Sequence, residues 1–85
     1  MMRVVAATFP DARAAGRVLS ELRDRYRLGP GDARVAPMGT AGSDYDEGTA
    51  LLAGRFRDDR VSEVEQLIEQ RGGEVIVEVP ERWTV

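Results

Sequence analysis

No cysteine, no histidine and no lysine occur among the 85 residues. The missing cysteine excludes a disulfide framework, a thiolate nucleophile and a thiolate metal site. The missing histidine removes the commonest general base and the commonest transition-metal ligand. All 12 basic residues are therefore arginine, and Schiff-base chemistry on a lysine amine is excluded. Asp, Glu, Tyr and the chain termini are the remaining acid–base groups. No apolar run approaches the roughly 18 residues that a membrane-spanning helix needs, so no membrane partner is expected. The opening Met1–Phe9 stretch is too short for a secretory signal and lacks a cleavage site. A cytoplasmic location is the expectation. A net charge of −3 lacks the strong basic balance of a nucleic-acid binder, so no nucleic-acid partner is expected.

What is present fits one domain, residues 1–85. A chain of this size buries only about 60–65% of the surface its unfolded form exposes, and self-association is a common source of extra stability.

Two strand–helix–strand units flank the polar, glycine-rich stretch Gly39–Gly48. Arg3 to Phe9 reads as a strand that is apolar on both faces, which suits a central strand. Pro10 is expected at the first helical position, with Asp11 in the first turn, where the helix dipole favours negative charge. Ala15, Val18, Leu19, Leu22 and Tyr26 form one apolar stripe. Gly29 is placed for a left-handed cap before Pro30. Ala33 to Met38 is a second strand, confined by Pro37 to an edge or a strand end. Thr49 to Phe56 is a third strand, again apolar on both faces. Asp58 or Asp59 is expected to cap a second helix carrying Val61, Val64, Leu67 and Ile68 inward, with Glu63, Glu65, Gln66 and Glu69 outside and Gly72-Gly73 as its stop. Glu74 to Val79 alternates cleanly: Val75, Val77 and Val79 on one face, Glu74, Ile76 and Glu78 on the other.

The order βαββαβ with right-handed crossovers predicts an α+β, ferredoxin-like domain. Its four-stranded antiparallel sheet has the order 4-1-3-2, with two helices on one face. The two doubly apolar strands are the two that this order places centrally. The other sheet face exposes small apolar side chains, Ala6 or Ala7 and Ala50 or Ala53, plus an aliphatic from the fourth strand. Register alone decides which set faces out. Such a patch is expected to be covered by a second copy, as in a homodimer, or by the tail that carries Trp83.

Motifs for chemistry are sparse. An RNA-recognition surface on this topology needs aromatics at the centre of the first and third strands, where this chain has Val, Ala, Leu and Gly. Ser43-Asp44-Tyr45-Asp46-Glu47 suggests a cation loop but fails the EF-hand pattern, since the sixth position from Asp44 is Thr49 and the twelfth is Arg55. Gly39-Thr40-Ala41-Gly42 lacks a following Gly-Lys-Ser/Thr, and its acidic neighbours would repel phosphate. No carboxylate sits inside an apolar run, where burial would raise its pKa. No catalytic residue, cofactor or metal is therefore assigned. The candidate binding surface is Asp44, Tyr45, Asp46, Glu47 and Trp83.

Val4-Val5-Ala6-Ala7-Thr8-Phe9-Pro10-Asp11, followed by Ala12, Ala14-Ala15, Val18-Leu19 and Leu22, resembles the opening of the general-stress-protein family of small bacterial domains. The likeness covers about the first 35 residues; the second half agrees in topology. It implies a cytoplasmic, stress-associated, non-catalytic domain and supplies no catalytic residue to carry over. The expected function is a self-associating binding or regulatory module with a protein or small-molecule ligand. The alternative is a small dimeric α+β enzyme using Tyr45 with Asp44, Asp46 or Glu47 at a cleft between protomers.

Overall fold

The structure, a computed structural model, describes residues 1–38 and 48–81. Six elements follow in the order expected: β1 (Met2–Phe9), α1 (Ala12–Tyr26), β2 (Ala33–Pro37), β3 (Ala50–Arg57), α2 (Val61–Gln70) and β4 (Glu74–Pro80). The sheet runs β2-β3-β1-β4, and every neighbouring pair is antiparallel. This is the ferredoxin-like 4-1-3-2 order, with β1 and β3 at the centre and the Pro37-bearing β2 on an edge.

Strand alternation divides the apolar residues into two sets. Val5, Ala7 and Phe9 of β1 and Ala50, Leu52 and Phe56 of β3 are buried in one core with Ala15, Val18 and Leu22 of α1 and Val61, Val64, Leu67 and Ile68 of α2. Leu19, Tyr26, Leu28, Val35 and Val75 pack against it. Both helices thus cover the same sheet face, as their apolar stripes require. The pairings Ala6↔Ala53, Thr8↔Leu51 and Val4↔Val79 then assign the other set to the open face. The register therefore selects Ala6 and Ala53, rather than Ala7 and Ala50, as the small residues facing outward.

The helix ends differ from expectation. Pro10 precedes α1, and Asp11 is its N-cap in an extended conformation, its carboxylate accepting the Ala14 N–H at 2.7 Å. A side-chain oxygen satisfies an orphan first-turn donor better than proline can, and such caps are worth about 1 kcal/mol. The left-handed residue at the other end is Arg27 (φ 52°), not Gly29. Gly29 instead donates its N–H to Asp32 Oδ2 at 2.8 Å, which closes the turn into β2. Neither Asp58 nor Asp59 caps α2; Arg60 holds that position without a side-chain cap bond. Gly16, in mid-α1, has open space where a Cβ would stand, so close helix–sheet approach does not require it.

The stop after α2 is built as its two glycines suggest. Gly72 takes a left-handed backbone (φ 88°). Gly72 N–H donates to the Glu69 carbonyl at 3.2 Å and Gly73 N–H to the Ile68 carbonyl at 2.9 Å, the paired bonds of a Schellman motif.

The clean alternation expected of β4 is broken. Ala6 pairs with Val77 but Ala7 pairs with Val75, so Ile76 is an extra residue on the edge strand. The bulge sends Val75 to the helix side and leaves Val77 and Val79 on the open face, and such irregularities are typical of edges. Ile76 and Val77 are 42% and 39% exposed.

Glu65, expected on the wet side of α2, is half-buried. Burial raises its pKa above the ordinary carboxylate value; Glu78, by charge and a side-chain hydrogen bond, and Glu69 push the same way, against Arg3. Arg3 Nη2 itself lies 3.8 Å from Glu78 Oε2. The folded chain therefore holds this proton more tightly than the unfolded chain, and stability falls as pH rises through the unfolded Glu value and on to the higher folded one. Glu65→Gln is expected to raise the melting midpoint at neutral pH and to leave it unchanged in acid, where Glu65 is protonated in both states. A thermal melt at the two pH values checks this; an equal gain in both would trace the effect to packing rather than charge.

Candidate functional site

Asp44, Tyr45, Asp46, Glu47 and Trp83, named from the sequence, lie outside the described residues. The described residues assemble a different concavity, a cleft of about 500 Å³ where the end of α1, the turn into β2, the end of β3 and the start of α2 meet.

Local sequence explains how arginines come to surround it. Along β3 the side chains alternate, so Phe56 turns into the core while Arg55 and Arg57 stay exposed. Helix α1 ends in Arg25-Tyr26-Arg27, and the left-handed Arg27 turns the chain so that Leu28 packs back on the core. Arg60 opens α2. Arg25, Arg27, Arg55, Arg57 and Arg60 all line the cleft, against the carboxylates Asp32 and Glu63. Glu21, Glu81 and Asp59, just outside the lining, pair with Arg25, Arg55 and Arg57, so the five guanidiniums meet five carboxylates.

Several of these groups are tied together. Arg55 Nη2 lies 2.9 Å from Glu81 Oε1, and its Nε is 3.9 Å from Asp32 Oδ1. Tyr26 donates its hydroxyl hydrogen to Glu63 Oε2 at 3.2 Å, and Arg60 Nη1 is 3.5 Å from the same oxygen. Arg57 Nη2 stands 3.4 Å from Asp59 Oδ2. Burial raises the Tyr26 pKa above its ordinary value, the hydrogen bond and charge of Glu63 add to this, and Arg25 opposes it. Tyr26 is therefore a protonated donor at neutral pH rather than a base.

This arrangement suits binding more than bond-breaking. Guanidiniums do not exchange protons near neutral pH. Glu65, whose carboxyl pKa burial raises, does not line the cleft. No group of three or more Asp or Glu that could hold a metal ion comes together among the described residues. The sequence reading missed the cleft because it weighed segments singly. The available signal was the pair of arginine-rich ends, Arg23-Asp24-Arg25-Tyr26-Arg27 and Arg55-Phe56-Arg57-Asp58-Asp59-Arg60, which only topology brings together.

No helix among the described residues is long and apolar enough to cross a membrane. No family model matches the chain, and no curated protein matches it by sequence; the general-stress-protein likeness of the opening residues has no support from either comparison. Solved structures do match. The divalent cation tolerance protein CutA1 from Thermus thermophilus superposes with a TM-score of 0.72 at 16% identity, over 94% of this chain and 84% of that one. CutA1 from Oryza sativa superposes with a TM-score of 0.71, also at 16% identity, over 93% of this chain and 78% of its own. At that identity the likeness is one of fold: this chain shares the architecture of the CutA1 divalent cation tolerance proteins.

Proposed function

We propose that this chain is a non-catalytic, cytoplasmic binding or regulatory module, a single domain of residues 1–85 that self-associates through its open sheet face. The observation that carries this reading is the composition of that face. Val4, Ala6, Leu51, Ala53, Val77 and Val79 lie together on it by register, and Val77 is 39% exposed. A contiguous apolar surface with a polar rim is the usual mark of an association site. Charge at the rim favours a second copy. Arg34 stands on the β2 edge, opposite Ala53, and Glu74 on the β4 edge, opposite Thr8. A twofold axis that lays β2 of one copy over β4 of the other brings these opposite charges near each other twice. The stress association suggested by the opening residues and the divalent cation tolerance for which the CutA1 fold neighbour is named both accord with a module that responds to a ligand rather than transforms it. The enzymatic alternative rests on Asp44, Tyr45, Asp46 and Glu47, outside the described residues.

Light scattering over a concentration series tests the proposal. The intact chain is expected to run at the mass of a dimer. Val77→Asp is expected to shift it to the monomer mass with an unchanged far-ultraviolet circular dichroism spectrum, because Val77 lies outside the core. A wild-type chain that stays monomeric throughout would overturn self-association.

A further inference from the structure

The arginine cleft borders the open face, since Arg55 pairs across from Val4, but none of Val4, Ala6, Ala53 and Val77 lines it, so what it binds goes beyond self-association. We propose that it binds a phosphorylated aromatic small molecule, with the phosphate held by Arg27, Arg57 and Arg60 and the ring lying against Tyr26 and Leu28.

Charge is the first reason. A chain of net −3 brings five of its arginines to one concavity, three of them held by nothing stronger than exposed, long ion pairs. The Arg27 guanidinium pairs with no carboxylate among the described residues. Arg57 and Arg60 hold their carboxylates only at 3.4 and 3.5 Å, at exposed positions, where such pairs are weak and easily exchanged. Planar guanidiniums match the oxygens of a phosphate with paired N–H donors, and a phosphate dianion competes for them with singly charged, solvent-exposed carboxylates. The start of α2 lies on the same rim and has no side-chain cap, which adds a favourable end of a helix dipole.

Size and lining are the second reason. About 500 Å³ is far more than inorganic phosphate fills and falls in the range of organic ligands. Tyr26 and Leu28 are half-buried beside the arginines and offer an aromatic and an aliphatic surface. Flanking guanidinium planes also stack on rings.

Isothermal titration of the full-length chain with phenyl phosphate, at low ionic strength, tests this, with inorganic phosphate and phenol titrated alongside. Phenyl phosphate is expected to bind saturably, one per chain, about 5-fold tighter than inorganic phosphate because of its ring, while phenol gives no saturable heat. Arg27→Gln and Arg57→Gln are each expected to weaken binding by about 10-fold. Arg13→Gln and Arg17→Gln, exposed on α1 and outside the cleft, leave it unchanged. Thermal melts of each variant separate lost binding from lost folding, and Arg60→Gln replaces either cleft variant whose melt is lowered. Absence of saturable heat would overturn the proposal. So would equal affinity for inorganic phosphate, saturable binding of phenol, or equal weakening by the Arg13 and Arg17 variants. Each of these results is independent of the mass measured by light scattering.

Discussion

Phe9→Ala is expected to destabilise the fold by about 3–5 kcal/mol, the range for removing a buried aromatic. Phe9 is 1% exposed and is one of the largest fully buried side chains. It ends β1, pairs across to Ala50, and belongs to the core cluster that includes Leu52, Val64 and Ile68. Its ring also reaches the turn after α2, within van der Waals range of Gly73. Truncation therefore empties a space bounded by the central strands, a helix and a turn, which cannot all move inward together. A small domain has a total stability of only about 5–15 kcal/mol, so this one change removes a large share of it. Each kcal/mol corresponds to roughly 4–8 °C in melting midpoint for a domain of this size. Denaturant unfolding monitored by circular dichroism checks the prediction. A loss below about 1 kcal/mol would be incompatible with a closed core at Phe9.

Gly73→Ala is expected to cost about 1–3 kcal/mol, through overpacking rather than a cavity. A Cβ at Gly73 would stand 2.6 Å from Ile68 Cγ2 and 2.6 Å from Phe9 Cζ, closer than carbon atoms approach without displacement. Gly73 does not adopt a left-handed backbone, unlike its neighbour Gly72, so the cost isolates close contact from backbone strain. The two changes are therefore coupled. Removing the Phe9 ring clears one of the two contacts, and Phe9→Ala with Gly73→Ala is expected to cost less than the sum of the separate losses. Residues in contact commonly couple by about 0.5–3 kcal/mol. Strict additivity in denaturant unfolding of the four proteins would mean that the turn does not rest on the Phe9 ring.

These contacts show which parts of the chain are legible one segment at a time. Short apolar runs around Val5 and Leu52 and the 3.6-residue stripes through Val18, Leu22, Val64 and Leu67 mark the two central strands and both helices, because strand length and one-sided helix burial show within each segment. The doubly apolar composition of β1 and β3 places them at the centre of the sheet. Helix ends are less legible. Pro10, Gly29, Asp58 and Asp59 all have the chemistry of a boundary, yet Asp11, Arg27 and Arg60 occupy the cap positions. Several neighbouring residues can satisfy the same orphan groups, and the turn that follows decides between them.

The candidate site is less legible still. Residues Asp44 to Glu47 stand out because they are polar and contiguous, and contiguity is all a linear reading detects. The arginine cleft is built from residues 2 to 63, and no local pattern marks them as neighbours.

By itself, then, the sequence determined the chemistry available and the fold: no thiol, imidazole or lysine amine, arginine as the sole side-chain cation, and a βαββαβ chain that closes into a 4-1-3-2 sheet. Those properties depend on composition and on short-range periodicity, which each segment carries alone. Tertiary structure decided the rest. The extra residue at Ile76 turned Val77 and Val79 outward, the pairing register chose Ala6 and Ala53 for the open face, and the meeting of three chain segments gathered five arginines around one cleft. Register and long-range proximity depend on how separate segments dock, and a shift of one residue reverses every face.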